Sequence, residues 1–142
     1  MSKIAVVYWS GTGNTEAMAA EAAAGAQEAG ADVSMYTASE FSAAKLEEYD
    51  AVAFGCPSMG AEQLEESEFE PMFEECRPKL SGRKIALFGS YGWGDGEWMR
   101  NWEGSCADDG AVLVCESVIC NNEPDDEAKE ALRELGKALA NA

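Results

Sequence analysis

The segment Ile4-Ala5-Val6-Val7-Tyr8-Trp9-Ser10-Gly11-Thr12-Gly13-Asn14-Thr15-Glu16 passes from an apolar, β-branched run through a glycine-bearing polar loop into residues 16–29, which are almost all Ala, Glu, Met and Gln. A strand feeding a helix across a short loop opens a strand–helix–strand unit, in which the helix carries the chain back so that the next strand lies parallel. The alternation continues. Apolar runs recur at residues 33–36, 51–55, 85–89 and 111–120, and residues 125–141 set Ala128, Leu132, Leu135 and Leu139 at helical spacing. Runs that are apolar nearly throughout predict strands buried on both faces. The expected fold class is therefore α/β, a doubly wound sandwich with helices on both sides of a parallel sheet.

Length and charge narrow the function. With 142 residues and 46% apolar composition, residues 1–142 are expected to form one domain around one core. Ten Lys and Arg against 27 Asp and Glu leave a formal charge of −17, and no histidine titrates near neutrality. Nucleic acid and anionic membranes are poor partners for such a surface. Seven glutamates at 62, 65, 66, 68, 70, 74 and 75 read either as a solvated helix face or as a docking surface for a basic protein. Five cysteines without a C-x-x-C pair read as reduced core residues, with neither a disulfide framework nor a metal site. The apolar run at residues 4–8 is too short for a secretory signal, so a cytoplasmic location is expected.

Ligands of doubly wound sheets bind beyond the C-terminal ends of the strands, which directs attention to the loops there. Ser10, Gly11, Thr12, Gly13, Asn14 and Thr15 follow the first strand and open the first helix, where unpaired N–H groups and the positive helix end favour an anion. A nucleoside triphosphate loop would need a lysine, and none stands between Lys3 and Lys45; a dinucleotide fingerprint would need glycine in place of Glu16. A phosphate monoester held by neutral donors fits better, with an ordinary capped turn as the alternative. The third strand runs into Gly55-Cys56-Pro57-Ser58-Met59-Gly60-Ala61-Glu62, and the fourth into Ser90-Tyr91-Gly92-Trp93-Gly94-Asp95-Gly96-Glu97-Trp98-Met99. Met59 and Trp93 can sandwich a planar ring, and the Glu62 carboxylate can accept a ring N–H.

The strings YWSGTGNTEAM, GCPSMG and ALFGSYGWGDGEWM, in this order and each following a strand, with NEPDD after the last strand, resemble the short-chain flavodoxins of clostridial type along the whole chain. The resemblance implies a five-stranded parallel sheet of order 2-1-3-4-5 and noncovalently bound FMN. It further implies a low-potential one-electron carrier working through the semiquinone/hydroquinone couple. By this likeness Ser10 to Thr15 hold the phosphate, Met59 lies on the inner flavin face, Trp93 on the outer, and Glu62 accepts from the flavin N3–H. Pro57, Ser58, Ala61, Ser90, Tyr91, Gly92, Gly94, Asn121, Asn122 and Glu123 complete the cofactor set. Some relatives carry a hydroxyl where Pro57 stands, so one phosphate or ribityl contact is expected to be missing. Gly60 would turn its carbonyl toward flavin N5 once that atom gains a hydrogen, which glycine tolerates without steric cost. No catalytic residue and no metal are expected.

The implied partners are basic-surfaced redox proteins, reductases and oxidoreductases that otherwise use ferredoxin, and the carrier is expected to be a monomer. An FMN-dependent NAD(P)H:quinone reductase on the same fold is the alternative. A receiver domain would need an acceptor aspartate at the end of the third strand, where Gly55 stands. Trp98 and Trp102, one helical turn apart, are expected in the core. Trp9 fits equally a cofactor border or a packing role.

Overall fold

Four consecutive buried residues, Ile4 to Val7, place β1 (Lys3–Tyr8) in the interior of a sheet. The computed structural model describes residues 2–11, 13–59, 64–92 and 94–142. β1 pairs in parallel with β2 (Asp32–Thr37) on one side and β3 (Ala51–Gly55) on the other, and β4 (Lys84–Tyr91) follows β3. The order is β2-β1-β3-β4-β5, with β5 (Val112–Leu113) and β6 (Val118–Asn121) both on the outer side of β4.

The order is the expected one, but the single last strand expected over residues 111–120 is two. Between the pairs Ile85↔Leu113 and Phe88↔Val118, β4 spends two residues and the edge chain four. The surplus pair cannot stay in a regular ladder and leaves it as a bulge. Ser117, at the end of this detour, donates from Oγ to Glu103 Oε2 at 2.6 Å.

Alternation along the strands divides the core between two layers. Ala5, Val7, Val52, Phe54, Ile85 and Leu87 face α2 (Ala43–Leu46), α3 (Phe69–Cys76) and α4 (Glu97–Asp108), with Phe69, Phe73, Trp98 and Trp102 filling that side. Ile4, Val6, Ala51, Ala53, Ala86 and Phe88 face α1 (Asn14–Glu28) and α5 (Asp126–Ala140). Both indoles expected in the core are there, at 2% and 3% exposure for Trp98 and Trp102.

The second layer is built from small side chains because its helices nearly touch backbone to backbone. A Cβ on Gly25 would stand 2.1 Å from the Arg133 carbonyl oxygen, and one on Gly136 would stand 2.1 Å from that of Ala22. Two glycines, one per helix, thus set the α1–α5 distance, and Arg133 Nε closes the crossing on Glu21 at 2.8 Å.

Replacing Gly136 by alanine gains about 1 kcal/mol of helix propensity but forces apart two backbones, which costs about 3 kcal/mol. The variant is expected to be about 2 kcal/mol less stable in urea unfolding. An alanine variant as stable as the parent would show that the close crossing is dispensable.

Candidate functional site

The helix after β1 lies on one face of the sheet and the helix after β3 on the other, while β1 and β3 are neighbours. The loops leaving these two strands diverge and open a crevice at the point where strand order reverses.

On its β1 side the crevice is bounded by the start of α1. Gly13, at φ 96°, caps the helix in the left-handed conformation open to glycine and supplies no side-chain cap of its own. Ser10 Oγ accepts from the N–H groups of Gly13 at 3.0 Å and Glu16 at 3.2 Å, curling the loop around itself. The first-turn N–H groups of Asn14 and Thr15 find no acceptor among the described residues. Donors left over at a helix N-terminus, beside the positive end of its dipole, make an anion cradle.

The loops are tied together at the other end of the crevice. Ser58 N donates to Ser90 O at 3.0 Å, joining the loop after β3 to the end of β4. Thr15 Oγ1 and Ser90 Oγ share a buried hydrogen bond of 3.4 Å, joining β4 to the cradle. From behind, Trp98 Nε1 donates to Cys56 O at 3.2 Å, and its ring leans on Tyr91 with centroids 5.6 Å apart. Asn122, at φ 59°, donates its N–H to Tyr91 O at 2.8 Å, a turn that an Asn side chain tolerates far better than a branched one.

These ties enclose a cavity of about 250 Å³ lined by Trp9, Gly11, Asn14, Pro57, Ser58, Met59, Ser90, Tyr91, Gly92 and Asn122. Ser10 and Gly13 border an adjoining hollow of about 410 Å³ with Tyr8, Glu16, Thr37, Ser39 and Glu68, and Trp9 and Gly11 stand between the two. Thr15 is buried beneath the cradle at 1% exposure. Asn121 and Glu123 border a different and larger groove, of about 830 Å³, along β6 and α5. Gly94 is in the loop leading to α4 at φ 87°. Thr12, Gly60, Ala61, Glu62 and Trp93 lie outside the described residues. Asp50, which immediately precedes β3, is at the opposite end of that strand from the crevice, where its Oδ2 accepts from Lys3 N at 2.8 Å.

Among the described residues neither hollow at the cradle is lined by a Lys or Arg, so the donors offered to an anion there are uncharged backbone, hydroxyl, amide and indole groups. No group of His, Cys, Asp or Glu among the described residues is arranged to hold a metal ion. Burial pushes the Cys56 thiol far up and those of Cys76 and Cys106 to about 12, which keeps all three protonated and unreactive.

Two contributions were hidden in the acidic run. Trp9 Nε1 donates to Glu68 Oε1 at 2.9 Å, and its ring lies against Gly11, where a Cβ would come within 3.0 Å of Cη2. Glu65 is no part of a solvated face: it is 5% exposed and starts α3. Its Oε1 accepts from the N–H groups of Glu68 at 2.7 Å and Phe69 at 2.8 Å, and its Oε2 from Ser67 N at 2.9 Å and from Ser67 Oγ. Burial works to raise the pKa of this carboxyl, but the hydrogen bonds together outweigh it and hold the group below the usual carboxylate range. An acidic residue just ahead of Phe69 could have signalled a helix start; six neighbouring glutamates masked it.

The flavodoxin family's sequence profile matches residues 6–136. The flavodoxin of Clostridium beijerinckii is 52% identical over 136 residues, spanning 96% of this chain and 98% of its own. That of Megasphaera elsdenii is 47% identical, over 98% of this chain and 99% of its own. The solution structure of two-electron reduced Megasphaera elsdenii flavodoxin superimposes with a TM-score of 0.91 at 46% identity, over 98% of this chain and 99% of that one.

Because the folded-state pKa of Glu65 is lowered, its stabilisation is complete above the unfolded value of 4.5 and is lost as pH falls through the lower folded value. Glu65→Gln is expected to cost about 1–2 kcal/mol at pH 7. The gap in Tm between parent and variant should close as pH drops below about 4.5, and a gap independent of pH would show that the charge contributes nothing.

Proposed function

This chain belongs to the flavodoxin family, and from that premise we propose which of its residues hold FMN and how its surface selects partners. The protein is an FMN-binding electron carrier that serves redox partner proteins; it is not an enzyme, and the quinone reductase alternative is not favoured. Bound FMN supplies a flavin that takes up and returns single electrons. All remaining chemistry is binding, orientation and electrostatics by the protein.

The observation that carries the site assignment is the pair of N–H groups left over at Asn14 and Thr15 beside a cavity lined, among the described residues, by no cation. In this reading the N–H groups of Asn14 and Thr15, with the hydroxyls of Ser10, Thr12 and Thr15, receive the FMN phosphate. Gly11 and Gly13 keep the loop free of side chains where the oxygens must approach. A dianion placed at a helix N-terminus gains from the dipole and from charge-assisted hydrogen bonds, so no lysine is needed to hold it. Pro57, Ser58, Met59 and Tyr91 then bound the ring from one side and Trp93 from the other. Ser90, Gly92, Gly94, Asn121, Asn122 and Glu123 follow the ribityl chain and pyrimidine edge, and Glu62 receives the N3–H. Gly60 and Ala61 are the peptide placed at N5.

Trp9 takes a border position in this scheme. Its indole separates the two hollows, and the bond to Glu68 stops it from swinging into the cradle. Sheer excess of carboxylate does the rest: a net charge of −17 repels electrons from the flavin site and attracts basic-surfaced partners. We place this carrier in the cytoplasm as a monomer formed of one FMN-binding domain over residues 1–142; among the described residues no helix is long and apolar enough to cross a membrane.

Apoprotein titrated with FMN is expected to bind it one to one with quenching of flavin fluorescence. Riboflavin, which lacks the phosphate, should bind at least about a hundredfold more weakly, the loss of several charge-assisted hydrogen bonds. Equal affinity for the two would remove the phosphate from the cradle. Electron delivery to a basic haem protein should slow by about tenfold or more between low and high salt; a rate indifferent to salt would contradict the partner assignment.

A further inference from the structure

The groove of about 830 Å³ is larger than either hollow at the cofactor cradle, and its wall is unusual. Seven consecutive residues, from Cys115 to Asn121, border it. Side chains of a strand point alternately to opposite faces, so an unbroken run can line one groove only where the groove follows the strand's open edge. Across from this edge stand Ala128, Ala131, Leu135 and Ala138, one apolar stripe of α5.

Beyond the bulge the edge is open. Asn122 N–H points to Tyr91 O on β4, so by the parallel alternation the backbone groups of Val118 and Cys120 also face β4, and those of Ile119 and Asn121 face outward. Exposed edges are commonly blunted by Lys or Pro, yet residues 112–121 contain neither. Ile119 is 36% exposed.

Charge decides what the groove suits. Glu116, Glu123, Asp125, Glu127 and Glu134 border it, and among the described residues no Lys or Arg does. Asp125 is engaged as the cap of α5, accepting from Ala128 N at 2.8 Å, and Glu134 meets Lys137 at 3.6 Å. The carboxylates of Glu116, Glu123 and Glu127 have no ion pair among the described residues. A second copy of this chain, itself strongly acidic, would bring like charge against like. A basic segment would not. One end of the groove also reaches the cofactor site, since Tyr91 borders both the groove and the 250 Å³ cavity.

We propose that β6 and the facing stripe of α5 form a docking strip for an extended segment of a redox partner, in which Lys or Arg alternates with apolar residues. The segment adds to the open edge as a further strand, bonds to the outward backbone of Ile119 and Asn121, and ends beside Tyr91. Backbone pairing supplies affinity, and the carboxylates select a basic sequence. The proposal rests on the reading of this chain as a carrier that serves basic partners.

Isotope-labelled holoprotein titrated with acetyl-KVKVKVK-amide at about 150 mM salt tests it, with acetyl-KPKPKPK-amide as a control of equal charge that cannot pair as a strand. The first peptide should shift resonances of residues 115–121 and α5 and slow hydrogen exchange at the Ile119 and Asn121 amides. The proline peptide should bind at least about tenfold more weakly. Ile119→Lys, and separately the double change Glu116→Gln with Glu127→Gln, should each weaken the first peptide by about fivefold or more while leaving the FMN absorption spectrum unchanged. Equal binding of the two peptides, shifts centred on residues 64–76, or concentration-dependent shifts of β6 without peptide, which would mark self-association, would each overturn the docking strip. A holoprotein that still passes electrons to a basic haem protein while its Ile119 and Asn121 amides stay unprotected would refute the strip and leave the carrier reading standing; loss of FMN binding itself would refute both.

Discussion

All strands of this sheet run the same way, so the chain must leave β1, β3, β4 and β6 at one edge and carry its unpaired backbone groups there. In the middle of the sheet every N–H and C=O has a partner on a neighbouring strand; beyond the last pair it must find one elsewhere or present itself to a ligand. The structure satisfies most of these groups internally, through Ser58 N to Ser90 O, Trp98 Nε1 to Cys56 O and Asn122 N to Tyr91 O. At the start of α1 it does not. The contrast between a tightly tied rim and the N–H groups left over at Asn14 and Thr15 is what makes this helix start suited to an anion.

The precision of that rim depends on packing well away from it. Trp98 is held among Phe69, Trp102 and Tyr91 in one layer, and so it can present its indole N–H to the loop after β3. In the other layer α1 is pinned by its close crossing with α5, where glycines at 25 and 136 let backbones approach and leave no slack for the helix to slide. Moving α1 would move the cradle, since its first residues are the cradle. Interiors packed to this density transmit displacement instead of absorbing it.

The acidic character has more than one physical role. Several carboxylates are structural fasteners: Glu65 starts α3, Glu68 holds Trp9, Glu75 accepts from Ala43 N at 3.2 Å, and Asp125 caps α5. Others, such as Glu116 and Glu127 along the β6 groove, are left to the solvent and to whatever binds there. Composition alone reports only the sum, and it is the division between these groups that separates fold stability from partner choice.

Much of the fold was legible in the sequence, because a strand buried on both faces must be apolar throughout and a helix must repeat its apolar positions every three to four residues. From such runs the alternation of elements follows. The likeness of YWSGTGNTEAM and its companion strings to flavodoxins carried the strand order and the FMN cofactor, and it directed attention to the loops that border the cavity. Other features were illegible because they depend on residues far apart in the chain. The division of the last strand into β5 and β6 comes from a register mismatch with β4, which exists only once the two are paired. Glu65 reads as one glutamate among seven until Phe69 is packed and the N–H groups of α3 need an acceptor. The open edge of β6 and its facing stripe on α5 become a groove only when the sheet ends there. Local patterns determined the kinds of element, since periodicity is a property of neighbouring residues; only the tertiary structure decided which charges are buried, which backbone groups remain unpaired and which surfaces meet, since each depends on a partner that the sequence places tens of residues away.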